Sequence, residues 1–282
     1  MVYVNGRFVR YCEATVSIED RGYQFADGIY EVIRVYGGKV FMLDEHLQRL
    51  ARSAAAIDLP LPDLTALRRD ALELLTRNGF PDSIIYIQVT RGACPRRHQY
   101  PDGLAPTVVM TARKMDMHPA RFRQEGVSVI SVADDRWARC HIKSISLLSN
   151  ILAKQKAHKQ GAFEAIYVRD GFVTEGTNTN VFVVEDGAIV TPPLTNYILP
   201  GVTRRAVLNL AARLAIPRRE EPVSVDRLFA ATAVFLTGTT TEVMPVVSID
   251  GRPVGDGRPG PVASCLFEGY MDLAYREGEP VL

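Results

Sequence analysis

Short apolar runs joined by very tight turns set the first limit on this chain. Residues 2–4 and 7–9 flank Asn5-Gly6, and residues 29–36 and 39–43 flank Gly37-Gly38. Residues 165–168 and 172–175 flank Arg169-Asp170-Gly171, and residues 180–184 and 188–191 flank Glu185-Asp186-Gly187. A connection of two or three residues reverses the chain within one step, so its flanking strands pair antiparallel. Helical stripes lie between these hairpins. After Asp44, read as a cap, Leu47, Leu50, Ala54 and Ile57 share one face before Pro60. Residues 64–78 form a second helix, closed by Asn78-Gly79. Strands are expected at 83–90, 107–111 and 127–132. A helix from Ser146 to Gly161 should carry Leu147, Leu148, Ile151 and Leu152 on one face. A helix over 203–214, entered through Pro200-Gly201, and strands at 233–237 and 243–249 complete the series. Strands and helices mix without a regular βα repeat, which predicts an α+β fold with antiparallel or mixed sheets. At 282 residues, two domains are expected, and the polar, proline-broken stretch 114–119 places the boundary at 1–116 and 117–282.

The charge balance narrows the function. Thirty-three basic residues oppose thirty-two acidic ones, so no bulk field recruits nucleic acid or an acidic membrane. No apolar run is long enough to span a bilayer as a helix, and residues 1–22 show no export signal, so a cytoplasmic protein is expected. The four cysteines are scattered without C-x-x-C spacing and read as reduced thiols; no metal site is expected. Only six of the basic residues are lysines, at 39, 114, 143, 154, 156 and 159, so lysine chemistry has few candidates.

Lys143 stands out because it lies between Ile142 and the apolar run starting at Ile145, just ahead of a helix. A desolvated amine there would favour its neutral, nucleophilic form, able to condense with a carbonyl as a Schiff base. Position by itself leaves a snorkelling surface lysine equally open. Glu175 lies between two strand-like segments, among small hydroxyl and amide residues, and is either a buried, hydrogen-bonded carboxylate or an exposed turn residue. Gly201-Val202-Thr203 at a helix start and Gly238-Thr239-Thr240-Thr241 could each hold an anion, or merely cap and turn the chain. Arg49 could balance that anion, and Arg96-Arg97-His98 could clamp a carboxylate. A G-x-G-x-x-G string at 255–260 is set aside as a surface loop, because Pro259 and Pro261 should stop a helix from opening there.

These residues, in this order, resemble the fold-type IV pyridoxal-phosphate aminotransferases, and within them the D-amino-acid aminotransferases. The resemblance runs over almost the whole chain. It rests on Asp20-Arg21-Gly22-Tyr23-Gln24-Phe25-Ala26-Asp27-Gly28-Ile29-Tyr30-Glu31, on Arg91-Gly92 through Arg96-Arg97-His98, and on Ile142-Lys143-Ser144, Thr174-Glu175-Gly176 and Glu242-Val243-Met244-Pro245. It implies a two-domain α+β fold with pyridoxal 5′-phosphate in the cleft between domains, Lys143 in the second domain holding the cofactor covalently and shuttling a proton, and Glu175 keeping the pyridine nitrogen protonated. Arg49, Val202, Thr203 and Thr239 match phosphate-binding positions, Val202 through its backbone amide, with Thr240 assisting. Tyr30, Arg96 and His98 match the substrate-carboxylate trap of the D-specific branch. His141, Asn178, Thr179 and Pro200 depart from the family pattern without removing a catalytic group.

The resemblance implies a ping-pong transaminase that moves the amino group of a D-amino acid to a 2-oxo acid such as pyruvate or 2-oxoglutarate, working as a homodimer on small molecules. The alternatives are an (R)-amine or branched-chain L-amino-acid transaminase, 4-amino-4-deoxychorismate lyase, or a non-catalytic anion-binding protein. The Arg96-x-His98 spacing argues against the rival transaminases and the lyase, and an aldimine absorption band would exclude the binding protein.

Overall fold

In the computed structural model, which describes all 282 residues, each of the four expected tight turns closes an antiparallel hairpin. Val4 lies opposite Arg7, Tyr36 opposite Lys39, Arg169 opposite Phe172 and Glu185 opposite Ala188. Arg169 and Glu185, read with the turns, end their strands instead. The two residues that make each turn have positive φ, from 45° at Asn5 to 84° at Gly6, the backbone that a two-residue hairpin loop demands and that Asn, Asp and Gly tolerate best. A fifth turn of this kind, Asp250-Gly251, joins Ile249 to Arg252.

The chain divides into two compact units. The first comprises Met1–Asp116, Ile142–Ser146 and Ala274–Leu282; the second comprises Met117–His141 and Leu147–Leu273. A single cut after residue 116 therefore misses two segments, and Lys143, expected with the second domain, packs with the first unit.

In the first unit the elements are β1 (Val2–Val4), β2 (Arg7–Val9), α1 (Arg21–Phe25), β3 (Gly28–Tyr36), β4 (Lys39–Val40), α2 (Leu43–Ala55), α3 (Leu64–Asn78), β5 (Ser83–Thr90) and β6 (Thr107–Lys114). They build an all-antiparallel sheet in the order β4-β3-β5-β6-β1-β2, with Glu279–Pro280 added beside β4. Alternate residues of its central strands face the core: Ile29, Ile33 and Val35 from β3, and Ile85, Ile87 and Val89 from β5. Leu43, Leu47, Leu50 and Ala54 of α2 and Leu67, Ala71, Leu74 and Leu75 of α3 cover that face at helical spacing. Asp63 caps α3 by accepting from the Ala66 amide at 2.9 Å, and Gly79 ends it at φ 63°. Asp44 is not the cap of α2: the helix starts one residue earlier, and Asp44 lies in its first turn, 2.9 Å from Arg68 Nε.

In the second unit the elements are α4 (Arg121–Gln124), β7 (Val127–Ala133), α5 (Leu148–Lys159), β8 (Glu164–Arg169), β9 (Phe172–Gly176), β10 (Asn180–Glu185), β11 (Ala188–Thr191), α6 (Val202–Arg213), β12 (Arg218–Glu220), α7 (Val225–Ala230), β13 (Ala233–Gly238), β14 (Glu242–Ile249) and α8 (Pro261–Glu277), whose last residues belong to the first unit. The sheet runs β12-β11-β10-β13-β14-β7-β8-β9. It is mixed: the pairs β11–β12, β14–β7 and β7–β8 are parallel and the others antiparallel. One face packs a core rich in valine, isoleucine and leucine, and on the other the paired rings of Phe182 and Phe235 stack at 4.9 Å.

The apolar face expected on α5 is left uncovered within the chain, since Leu148, Ile151 and Leu152 are 60–70% exposed and Ala157 is the buried contact. One expectation fails here. Pro261 does not block a helix; it opens α8, because the first helical position has no amide partner to lose. The 255–260 loop still lacks the parallel strand that a dinucleotide site needs, as it follows a short hairpin off β14.

Candidate active site

In the first unit the candidate residues are positioned from β3. Glu31 is in phase with Ile29 and Ile33, so the strand's alternation turns a carboxylate into the core, and it is 0% exposed. A charge so placed must be paired. Arg49 on α2 donates through Nε and Nη2 to its two oxygens at 2.7 and 2.8 Å, and His46 Nδ1 stands 2.7 Å from Oε2. Burial would raise the Glu31 carboxyl, but Arg49 and His46 outweigh it and hold it down to about 2. His46 is held below its ordinary value by burial, reinforced by the charges of Arg49 and Lys143. An ionised carboxylate only accepts, so the proton of this neutral imidazole is assigned to Nδ1. Arg49, expected as the counter-charge of an anion, is thus itself anchored by Glu31, and neither Glu31 nor His46 was singled out from the sequence. The available signal was a glutamate in register with a buried apolar stripe.

Lys143 is laid against the same strand. Its carbonyl accepts from the Tyr30 amide at 3.0 Å, its amide donates to Ser53 Oγ of α2 at 3.1 Å, and Ser144 bridges Ile29. Gly28 lets this segment come close, because a Cβ there would meet the Val89 carbonyl oxygen at 2.8 Å and Ile145 at 3.1 Å. The Lys143 ammonium nitrogen lies 4.2 Å from the centre of the Tyr30 ring, which stacks on Tyr86. Strand β3 and helix α2 therefore hold Lys143 beside Tyr30 and set the Glu31–His46–Arg49 cluster next to them.

Arg96 and His98 lie together in the exposed loop between β5 and β6. The Arg96 guanidinium sits 4.7 Å over the Phe25 ring, and the His98 ring meets that ring edge-on at 5.7 Å. The loop is held from beneath. Buried Arg21 on α1 donates to the carbonyls of Arg97 and His98 at 2.7 and 3.1 Å, and to Asp27 at 2.8 Å. Asp27 also accepts from Arg91, whose other nitrogens bind the carbonyls of Asp58 and Ile57. Arg21 and Asp27 stood inside the sequence motif without a role; their function as a brace depends on contacts about seventy residues away in sequence.

In the second unit, Glu175 on β9 is buried, not an exposed turn residue. Arg136 Nη1 donates to its Oε1 at 2.5 Å, while Oε2 accepts from the Leu199 amide at 2.9 Å and from Asn180 at 3.4 Å. Burial pushes this carboxyl up to about 7 in spite of Arg136. Arg136 is fixed in turn by a bidentate pair with Asp134, both contacts at 2.9 Å.

The two candidate anion-binding segments belong to the same unit. Helix α6 starts at Val202 with Gly201 as N-cap and no side chain capping it, so its first amides point out unpaired by any side chain. Gly201 is tightly placed, since a Cβ there would lie 2.0 Å from Asn180 Oδ1. Asn180 pairs across the sheet with Thr237, whose buried hydroxyl oxygen has no hydrogen-bond partner, and Thr237 leads into the Gly238–Thr241 turn that holds Thr239 and Thr240. Uncapped amides, an orphaned buried hydroxyl and adjacent threonines are the donors that a phosphate ester needs, and a buried carboxylate nearby suits a ring nitrogen. The residues fit a phosphorylated pyridine cofactor.

This geometry agrees with what the chain is similar to. Residues 28–249 match the family described as amino-transferase class IV. The chain belongs to that family and is an aminotransferase with the fold-type IV architecture. A D-alanine aminotransferase of Bacillus licheniformis is 49% identical over 93% of this chain and 92% of its own length, and one of Staphylococcus haemolyticus is 46% identical over 95% and 96%. Among solved structures, a branched-chain amino acid aminotransferase from Escherichia coli superposes at a TM-score of 0.90, with 30% identity over 96% of this chain and 93% of that one.

Proposed function

We propose that this aminotransferase uses pyridoxal 5′-phosphate to move the amino group of a D-amino acid, D-alanine foremost, to a 2-oxo acid. The observation that carries the reading is the 49% identity to a D-alanine aminotransferase over nearly the full length of both chains. Structural neighbours named for branched-chain substrates share the fold at about 30% identity, and one of them was solved with pyridoxamine 5′-phosphate. The Arg96–His98 loop, braced by Arg21, supports the D-specific reading, because its guanidinium and its imidazole both pack on the Phe25 ring and both are groups suited to a carboxylate.

When bound, the cofactor supplies an electron sink for the carbon that loses its proton. Lys143 is proposed to carry it covalently through Nζ and, once released, to take the α proton from the amino donor as base and deliver it as acid to the cofactor's C4′ carbon, and to run that transfer in reverse for the 2-oxo acid. Glu175 is proposed to hold a proton at the ring nitrogen, with Arg49, the Val202 amide, Thr203, Thr239 and Thr240 holding the phosphate. Tyr30, Arg96 and His98 are proposed to orient the substrate carboxylate. We further propose that the two units are the enzyme's two domains, and that it works in the cytoplasm as a homodimer. No helix is long and apolar enough to cross a membrane. Leu148, Ile151 and Leu152 on α5, exposed in the single chain, supply an apolar face for a second copy.

The test is turnover of a panel of D- and L-amino acids with 2-oxoglutarate by the pyridoxal-phosphate-loaded protein. D-Alanine should yield pyruvate and D-glutamate, and Lys143→Ala should abolish this. Faster turnover of L-leucine or L-valine than of any D-amino acid would overturn the reading.

A further inference from the structure

Glu175 is the buried end of a chain of charges that the proposed function does not use. Asp134, just after β7, is 8% exposed and Arg136 likewise 8%. Asp134 accepts from Nε and Nη2 of Arg136 and from the Thr174 hydroxyl at 2.9 Å, with Arg169 Nη2 3.3 Å from the same oxygen that Arg136 Nε meets. The Arg136 guanidinium lies 4.2 Å over the Tyr167 ring, and its Nη2 also donates to the Tyr197 carbonyl at 3.1 Å. The contacts to Asp134, the Tyr167 ring and the Tyr197 carbonyl fix the guanidinium plane and leave Nη1 aimed at Glu175 Oε1, at 2.5 Å. A planar fork held on one edge cannot swing away from the other.

We propose that Arg136 is a positioning residue that acts through Glu175. Anchored by Asp134, it fixes the carboxylate's orientation and favours its charged form in a buried site, so that Glu175 can hold a proton on a ring nitrogen. The inference rests on the transaminase reading and adds to it a residue outside the expected cofactor and substrate contacts. The charge balance around Glu175 favours this role. Arg136 is the cation in contact, Asp134 opposes it from behind, and Arg169 in turn offsets Asp134. Nearby Cys140 has its thiol pushed up to about 11 by burial and stays neutral. Removing Arg136 would leave Asp134 and Glu175 facing each other with only the Leu199 amide and Asn180 as donors to Glu175.

Two measurements test this. In cofactor-free protein labelled with ¹³C at glutamate carboxyls, the Glu175 signal, identified by its loss in Glu175→Gln, should titrate at higher pH in Arg136→Met than in the native chain. Arg136→Lys should restore most of the difference, and an unmoved titration would overturn the proposal. In the holoenzyme, Arg136→Met should lower kcat about tenfold or more with Glu175 present, and by less than about twofold when Glu175 is already glutamine, since residues acting through one another are not additive. Equal losses in both backgrounds would also overturn it. Arg136→Gln serves the same readings if the methionine variant does not fold. Should the protein fail to bind pyridoxal phosphate, the transaminase reading falls while the carboxyl titration still reports on Arg136.

Discussion

At the scale of single residues, two buried glutamates show how the same side chain is given opposite properties. Glu31 is gripped by Arg49 and His46 and held down to about 2; Glu175, with one cationic contact that Asp134 partly offsets, is pushed up to about 7. Desolvation acts on both; Glu31 is met by two guanidinium nitrogens and an imidazole, Glu175 by a single guanidinium nitrogen whose charge Asp134 offsets, and that difference decides the sign. The consequence for stability follows directly. A carboxyl whose folded value lies above its ordinary 4.5 favours the folded state fully below that pH, and the advantage is lost as pH rises toward 7. Cofactor-free protein should therefore lose about 3 kcal/mol between pH 4.5 and pH 8 relative to Glu175→Gln, as read from urea midpoints at the two pH values. Parallel pH profiles for the two proteins would rule this out. Glu31 runs the other way, contributing stability above pH 4.5 that is lost as pH falls toward 2.

At the scale of elements, α1 is only five residues long, yet it positions the loop expected to read the substrate. Asp20 caps it by accepting from the Gly22 amide at 2.8 Å, and Thr90 of β5 donates to the same carboxylate. With its start fixed, Arg21 is delivered beneath the Arg96–His98 loop. Replacing Arg21 with methionine removes two hydrogen bonds from a charged donor to backbone carbonyls, a loss of about 1–3 kcal/mol each in local ordering. The loop should then be cut by trypsin after Arg96 or Arg97 faster than in the native protein, and KM for D-alanine should rise by more than kcat falls. An unchanged cleavage rate would show that Arg21 does not brace the loop.

At the scale of the whole molecule, α5 is a helix whose apolar face the single chain leaves uncovered. The spacing of Leu147, Leu148, Ile151 and Leu152 marks an apolar face, but periodicity gives a direction around the helix axis and not the identity of what covers it. Three of these residues stay exposed within the chain. If a second copy covers them, Ile151→Glu should shift the protein from dimer to monomer by light scattering while its circular dichroism is retained. A native chain that is already monomeric would remove the proposal. The final helix was missed for a related reason: proline reads as a breaker in its interior but as a starter at its first position, and only the fold shows which applies to Pro261.

The hairpins were legible in the sequence because they are set by forces acting over two residues: the left-handed backbone of Asn5-Gly6, Gly37-Gly38 and the Asp-Gly pairs leaves one way to turn. Strand β3, the stripe of α2 and helix α3 were legible for the same local reason, as was the singular setting of Lys143 among six lysines. Tertiary structure alone decided that Glu31 meets Arg49 and His46, that Asp134 holds Arg136 against Glu175, that Arg21 reaches the carbonyls of Arg97 and His98, and that Lys143 packs with the first unit. Most of those pairings join residues tens of positions apart, and what selects them is the cost of leaving a charge or hydrogen-bonding group buried without a partner, which no local pattern records.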